Sequence, residues 1–204
     1  MKLYHFPKTR SSRVLWLAKE LGVELDLVPV DLLQRAQYKP DYVAINPHSK
    51  VPAFEDASKG VHLIESGAIA TWLVENAPNG ENFVPPKGSV ERSQYWEWLF
   101  YVNATLDELT IPAYLHAKVL PEPARNPAVV ETATKAWRDN VVPFIEGRLG
   151  DKTWACGDRF TVADIFLSYD LGLAAGLGFL AGHPRLEAYL ARATERPAFK
   201  AAFA

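Results

Sequence analysis

The sequence contains little cysteine, no long apolar run and no excess of charge of one sign. Cys156 is the only cysteine among 204 residues, which excludes an intramolecular disulfide and fits a reducing compartment. No apolar stretch approaches the ~18 residues of a membrane span, and residues 1–6 lack the apolar run of a signal peptide. The formal net charge is −2, without the clustered Lys and Arg of a nucleic-acid-binding surface. We therefore expect a cytoplasmic protein that binds neither nucleic acid nor membrane.

The first 77 residues alternate strand and helix patterns. Short runs rich in aromatic and β-branched residues predict strands over residues 2–6, 25–30, 52–55 and 61–64. Apolar residues at helical spacing predict one helix over residues 11–21, stopped by Gly22, and another from Ser66 to near Asn76. This order of elements predicts a compact α/β unit with a mixed sheet.

Residues 78–88 contain three prolines and two glycines, a composition typical of a linker. Beyond this segment the strand patterns disappear. Helices are predicted over residues 90–101, 128–149, 161–171 and 184–194. Pro143 is expected to bend the second of these helices or to mark a boundary within it. The sequence thus predicts an all-helical second domain.

Four short motifs follow one another along the chain. They are TRSSRVL at residues 9–15, NPHSKVPA at 46–53, LIESGAI at 63–69 and GDRFTVAD at 157–164. In this order and at these separations, they make the chain resemble the soluble, cytosolic-type bacterial glutathione transferase family over essentially its whole length. The resemblance implies a thioredoxin-like α/β domain over residues 1–77, a linker over 78–88 and an all-α domain over 89–204 that contributes the electrophile pocket.

The resemblance also implies an activity and an assembly. Such a protein binds glutathione as the thiolate and conjugates it to a hydrophobic electrophile, a detoxification reaction that needs no metal. The partners implied are therefore glutathione and a hydrophobic small molecule. A homodimer is also implied, and symmetric dimers are the commonest soluble oligomers.

Glutathione is a tripeptide with two carboxylates and one amine, and the resemblance assigns residues to its groups. The bond before Pro52 is expected to be cis, with the backbone of Val51 pairing with the cysteinyl part as an added strand would. Ser66 precedes an apolar helical run, so we expect it to cap that helix and to bind the γ-glutamyl carboxylate. Glu65 is expected near the amine, and Lys50 at the glycine carboxylate.

The resemblance implies that the residue that activates the thiol lies within residues 7–13, in the loop before the first helix or in its first turn. A hydroxyl that donates a hydrogen bond to sulfur favours the thiolate, and the N-terminal dipole of the first helix adds to this effect. Thr9, Ser11 and Ser12 each offer such a hydroxyl. We favour Ser11 over Thr9 as the catalytic residue, because Ser11 is expected to cap the helix. The resemblance also implies that Arg10 contacts glutathione.

The helical domain offers aromatic residues for the electrophile. Tyr101 and Tyr114 are the pocket candidates, because a tyrosine hydroxyl allows partial exposure. Asp164, in contrast, completes a capping arrangement with Thr161 and is expected to be structural. Cys156 is expected to pack as a small hydrophobe.

Two other kinds of protein share this pattern. Glutathione-dependent isomerases, dehalogenases and disulfide or peroxide reductases use the same fold, and the absence of cysteine from residues 7–13 argues against those that form a mixed disulfide. Non-catalytic binding or regulatory relatives often lose the Glu-Ser pair or the lysine. This sequence retains Glu65, Ser66 and Lys50, so we expect glutathione to bind.

Overall fold

The computed structural model describes residues 1–204, and the chain forms two compact units. The first unit comprises residues 1–82 together with 195–204, and the second comprises residues 83–194. The break between residues 82 and 83 falls inside the proline- and glycine-rich segment. The last residues of the chain thus return to the first unit, which no sequence pattern indicated.

A four-stranded mixed sheet forms the centre of the first unit. Its strands are β1 (Lys2–His5), β2 (Asp26–Pro29), β3 (Ala53–Asp56) and β4 (Val61–Ile64). The spatial order is β2-β1-β3-β4, with β1 parallel to β2 and antiparallel to β3, and β3 antiparallel to β4. In this register Tyr4 lies between Val28 and Ala53. The predicted mixed sheet is confirmed.

The chain contains ten α-helices. They are α1 (Arg10–Glu20), α2 (Pro40–Val43), α3 (Ser66–Asn76), α4 (Val90–Tyr101), α5 (Asp107–Tyr114), α6 (Pro127–Ala136), α7 (Val142–Leu149), α8 (Val162–Gly176), α9 (Pro184–Thr194) and α10 (Pro197–Phe203). The short helices α2, α5 and α10 were not predicted, because elements of four to eight residues carry too little periodicity to be recognised.

The two faces of the sheet bury different side chains. Tyr4 joins Tyr42 and Val51 in an apolar cluster, with the two tyrosine ring centroids 5.9 Å apart. Successive residues of a strand point to opposite faces, and the neighbouring His5 instead contacts α1, with its Nδ1 2.7 Å from Ser11 Oγ. The contact fixes the N-terminus of α1 against the last residue of β1.

Helix α10 packs against α1. The ring of Trp16 is fully buried, with its centroid 5.0 Å from that of Phe199 and 6.2 Å from that of Phe203. Arg196 donates from Nε and Nη2 to the two carboxylate oxygens of Glu20, at 2.6 and 2.7 Å. The end of the chain therefore covers the apolar face of the helix that begins beside the candidate site.

Wide π-type turns interrupt the helices of the second unit. They span Val102–Leu106, Leu115–Val119 and Trp137–Val141. The third lies just before Pro143, which has no N–H for a regular helical bond and whose ring crowds the preceding turn. The predicted helix over residues 128–149 is thus α6, a π turn and α7, which confirms that Pro143 marks a boundary.

Asp164 holds the start of α8. Its carboxylate is fully buried and accepts hydrogen bonds from Thr161 N–H at 2.7 Å, Thr161 Oγ1 at 2.8 Å, Ala155 N–H at 2.7 Å and the Tyr189 hydroxyl at 2.6 Å. The structural role expected of Asp164 is confirmed. Cys156 is buried, as expected, and this burial raises its pKa to about 12. None of the helices combines the length and apolar character needed to cross a membrane.

Candidate active site

One cleft of the first unit gathers the residues that were assigned to glutathione. Its lining consists of Arg10, Lys50, Val51, Pro52, Glu65 and Ser66, together with Asn46 and His48. Lys50 and Glu65 are exposed, whereas Val51 and Ser66 are buried. The cleft thus presents charges of both signs around buried polar and backbone groups, an arrangement that suits a small ligand carrying both carboxylate and amine.

The N-terminus of α3 contributes to this cleft. The helix begins at Ser66, and the preceding Glu65 has a left-handed φ of 74° and makes no side-chain cap. The expectation that Ser66 is the N-cap is therefore wrong by one residue, because the chain turns into the helix at Glu65. A non-glycine residue in such a conformation costs of order 1–3 kcal/mol, and such residues cluster at functional sites.

Arg13 is buried behind Ser66. It is fully inaccessible to solvent, and its Nε and Nη2 donate to Ser66 Oγ at 3.1 and 2.9 Å. A hydroxyl oxygen has two acceptor positions and one hydrogen. Both acceptor positions of Ser66 are filled by Arg13, so the Ser66 hydroxyl is left to act as a donor.

Buried polar side chains hold the segment that leads into β3. The Lys50 carbonyl accepts hydrogen bonds from the Tyr42 hydroxyl and from Asn46 Nδ2, both at 2.7 Å. The bond between Val51 and Pro52 is cis, as the resemblance implied. Since the ladders of β3 begin at Ala53, the backbone of Val51 lies outside the sheet pairing. The Lys50–Val51 backbone is thereby fixed along the cleft.

A chain of short hydrogen bonds links β1 to the start of α1. His5 Nδ1 lies 2.7 Å from Ser11 Oγ, and Ser11 Oγ lies 2.8 Å from Thr9 Oγ1. Thr9 Oγ1 in turn donates to the Phe6 carbonyl at 2.7 Å. Ser11 is fully buried, whereas Thr9 is partly exposed. Of these two hydroxyls, only that of Thr9 belongs to a solvent-accessible residue.

Thr9 caps α1, and the expectation that Ser11 does so is wrong. The helix begins at Arg10, and Thr9 Oγ1 accepts from the Ser11 N–H at 3.3 Å. Ser12 is fully buried and its Oγ accepts from the Lys8 N–H at 2.9 Å. Lys8 has a φ of 62°, and this turn brings its N–H over the first turn of the helix. Ser12 therefore holds the loop together.

Tyr101 and Tyr114, the candidates for an electrophile pocket, lie in the second unit at the ends of α4 and α5. The Tyr101 ring centroid is 4.4 Å from that of Phe144. Burial raises the pKa of the Tyr101 hydroxyl to about 12. The Tyr114 ring lies so near α8 that a Cβ built on Gly176 would be 3.1 Å from its Cε2. Both tyrosines are half-buried, and their role in a pocket stays a prediction.

Comparison with known proteins identifies the family. Residues 1–75 match the family model of the glutathione S-transferase N-terminal domain, and residues 132–192 match that of the C-terminal domain. The glutathione S-transferase GstA of Escherichia coli O157:H7 is 30% identical over 97% of this chain and 94% of its own. The chain belongs to the glutathione S-transferase family.

Solved structures of other glutathione transferases agree with this assignment. A glutathione transferase from Methylococcus capsulatus str. Bath is 30% identical, with a TM-score of 0.84 over 99% of this chain and 96% of that chain. A sphingomonad glutathione S-transferase complexed with glutathione is 28% identical, with a TM-score of 0.83 over 100% of this chain and 97% of that chain. The fold class, the family and the glutathione transferase activity predicted from the sequence are confirmed.

Four residues that organise the transferase cleft were not singled out as site residues from the sequence. Arg13 and Asn46 lie inside two of the motifs, and an arginine within an apolar helical run is itself a signal of a buried polar role. Tyr42 and His5 carried no such signal. Alternation along β1 indicates that Tyr4 and His5 face opposite ways, but only the fold shows which of them meets Ser11.

Proposed function

We propose that this transferase binds glutathione in the cleft of the first unit and transfers its thiolate to a hydrophobic electrophile. The observation that carries the proposal is the Ser66 hydroxyl, which Arg13 leaves as a donor at the N-terminus of α3. A carboxylate there would accept from the Ser66 hydroxyl and from free N–H groups of the helix. The adjacent Glu65 suits the neighbouring amine, so this corner matches the γ-glutamyl group.

The remaining contacts follow the backbone of the tripeptide. The N–H and C=O of Val51, next to Pro52, suit the cysteinyl residue, which would pair with them as an extended strand does. Lys50 and Arg10 line the same cleft and supply positive charge for the glycine carboxylate. Glutathione is the substrate, and the chemistry we propose uses no metal.

The hydroxyl that we assign to thiol activation is that of Thr9. A free thiol has a pKa of about 8.5, and only the thiolate is a strong nucleophile. Thr9 stands at the N-terminus of α1 in a partly exposed position, whereas Ser11 is fully buried behind it. A hydrogen bond from Thr9 Oγ1 to sulfur, aided by the helix dipole, would favour the thiolate. In this proposal Ser11 contacts Thr9 and does not contact the sulfur.

The electrophile and the assembly complete the proposal. We assign the hydrophobic substrate to the second unit, with Tyr101 and Tyr114 in its pocket. The protein is proposed to act as a cytoplasmic, detoxifying homodimer. Symmetric dimers are the commonest soluble oligomers, and we place the interface on helix α4, where Phe100 is 69% exposed.

Calorimetric titration with glutathione tests the binding site. We expect wild type to bind, and Ser66→Ala to weaken binding roughly 10- to 100-fold, because the hydroxyl donates to a charged group. Ser58→Ala, in the turn between β3 and β4, is the matched control and should bind as wild type does. Undiminished binding by Ser66→Ala would contradict the assignment.

Conjugation of glutathione to an activated chlorodinitrobenzene separates a transferase from a binding protein. Turnover by wild type, lost in proportion to binding in Ser66→Ala, is the expected result. Binding of glutathione without turnover of any aryl or alkyl electrophile would favour the non-catalytic alternative.

A further inference from the structure

The polar cluster at the start of α1 has fewer hydrogens than hydrogen-bond partners. The hydroxyl oxygen of the buried Ser11 lies 2.7 Å from His5 Nδ1, 2.8 Å from Thr9 Oγ1 and 3.0 Å from the Phe6 carbonyl oxygen, and it accepts from the Phe6 N–H at 3.2 Å. Ser11 has one hydrogen to donate, and Thr9 also has one. The direction of each hydrogen bond in this cluster is therefore set by its neighbours.

Two directions are possible along the His5–Ser11–Thr9 contacts, and donation from Ser11 to the Phe6 carbonyl at 3.0 Å is the longer alternative use of the Ser11 hydrogen. In the first, His5 Nδ1–H donates to Ser11, Ser11 donates to Thr9, and Thr9 donates to the Phe6 carbonyl at 2.7 Å. In the second, Thr9 donates to Ser11 and Ser11 donates to an unprotonated His5 Nδ1. In the first direction the Thr9 hydrogen points away from Ser11, whereas in the second it points to the buried Ser11 oxygen.

Only the first direction lets Thr9 serve a bound sulfur. Its hydrogen can turn from the Phe6 carbonyl to a thiolate while every bond behind it stays in place. Donation from Ser11 also polarises the Thr9 hydroxyl and makes it a better donor. In the second direction, the Thr9 hydrogen would have to leave Ser11, and Ser11 and Thr9 would then face each other with no hydrogen between their oxygens.

We propose that His5 is a positioning residue: it carries its hydrogen on Nδ1, donates to Ser11, and so directs the Thr9 hydroxyl toward the sulfur of glutathione. This inference rests on the proposed role of Thr9. Burial supports it, since desolvation lowers the pKa of His5 and favours the neutral ring. A neutral imidazole has one donor and one acceptor nitrogen, so its tautomer decides the direction of the chain.

Nitrogen-15 NMR of the folded wild-type protein tests the tautomer without any ligand. We expect the His5 ring to show the pattern of an Nδ1–H, Nε2-unprotonated imidazole, with the signals assigned by their loss in His5→Asn. An Nε2–H tautomer of His5 would overturn the proposal. This result does not depend on whether glutathione binds.

The pKa of the bound glutathione thiol, followed by its ultraviolet thiolate absorbance, tests the consequence. His5→Leu and Ser11→Ala each remove one of the hydrogen bonds that link His5 to Thr9. Each should raise the pKa of the bound thiol by about one unit. His5→Asn places an amide N–H near the position of Nδ1 and should restore most of the shift. His62→Asn replaces an exposed histidine of β4 and should leave the thiol pKa unchanged.

S-methylglutathione separates positioning from binding, because it has no thiol to ionise. The His5 and Ser11 variants should bind it within about twofold of wild type, provided that circular dichroism shows them folded. An unchanged thiol pKa in folded His5→Leu and Ser11→Ala would overturn the role of His5. Failure of wild type to bind either ligand would instead refute the proposed function, and the tautomer would still decide the direction of the chain.

Discussion

At the scale of single residues, burial sets the chemistry of the ionisable groups in this transferase. His5, Arg13 and Cys156 are all buried, but burial has a different consequence for each side chain. Arg13 donates hydrogen bonds to Ser66, whereas burial lowers the pKa of His5 and raises the pKa of Cys156. Each difference leads to a measurable result.

Cys156 should be unreactive in the folded protein. Its pKa of about 12 leaves almost no thiolate near neutral pH, and the side chain is buried. We expect negligible labelling by a maleimide in the native state, and one label per chain in urea. Rapid labelling of the native protein, compared with a Cys156→Ala blank, would show that this thiol is accessible.

The lowered pKa of His5 predicts how stability depends on pH. Between that lowered value and about 6.5, the value of a histidine in an unfolded chain, the unfolded state binds a proton that the folded state does not. The free energy of unfolding should therefore fall as the pH drops through this window, and His5 should contribute no slope above it. Urea unfolding at several pH values measures the effect. His5→Asn should reduce the dependence of the free energy of unfolding on pH, whereas His62→Asn should keep that of wild type. The same dependence in wild type and both variants would argue against a lowered pKa of His5.

At the scale of elements, the ends of helices are held by side chains that the sequence only partly revealed. The capping role of Asp164 was predictable, because Thr161 and Asp164 stand at capping-box spacing before an apolar run. The cap of α1 was not predictable in the same way, since Thr9, Ser11 and Ser12 are all capping residues. The left-handed turn at Lys8 and the contact with His5 decide between them.

Asp164→Ala should destabilise the second unit. It leaves the N–H groups of Thr161 and Ala155 and the hydroxyl of Tyr189 without their buried acceptor, at a cost of about 3 kcal/mol or more. Tyr189→Phe removes one of these bonds and should cost about 1 kcal/mol. Urea unfolding compares the two variants, and a loss below that of Tyr189→Phe would contradict the account.

Helix α10 should stabilise α1. Phe199→Ala removes a half-buried ring that contacts Trp16, and we expect a loss of about 2 kcal/mol in the free energy of unfolding. Leu33→Ala is the control, because Leu33 belongs to the same unit but is 78% exposed. Equal stability of the two variants would show that α10 contributes little.

At the scale of the whole molecule, the sequence revealed the order of the domains along the chain. It did not reveal which distant segments pack against each other. Motifs in a fixed order identified the family and the α/β-then-α arrangement. The return of residues 195–204 to the first unit was not visible, because Trp16 and Phe199 each look like an ordinary apolar helix residue until the fold brings them together. Arg13 and Ser66, 53 positions apart, meet for the same reason.

The proposed homodimer predicts a sedimentation result. The protein should sediment with twice the 22.7 kDa mass of one chain, and Phe100→Glu should shift it toward the monomer by placing a charge on the exposed face of α4. Leu33→Glu, at another exposed apolar residue, should leave the mass unchanged. A monomeric wild type would refute the proposed assembly.

The central claim, that Thr9 at the N-terminus of α1 stabilises the thiolate of glutathione in this cleft, is tested most directly by one measurement. It is the pKa of the bound thiol, followed by thiolate absorbance, in wild type and in Thr9→Val, with Ser58→Ala, at an exposed serine of the turn between β3 and β4, as the control. We predict a wild-type value at least about one unit below the ~8.5 of a free thiol, returning most of the way in Thr9→Val but not in Ser58→Ala. A bound thiol with the same pKa in wild type and Thr9→Val would contradict the account.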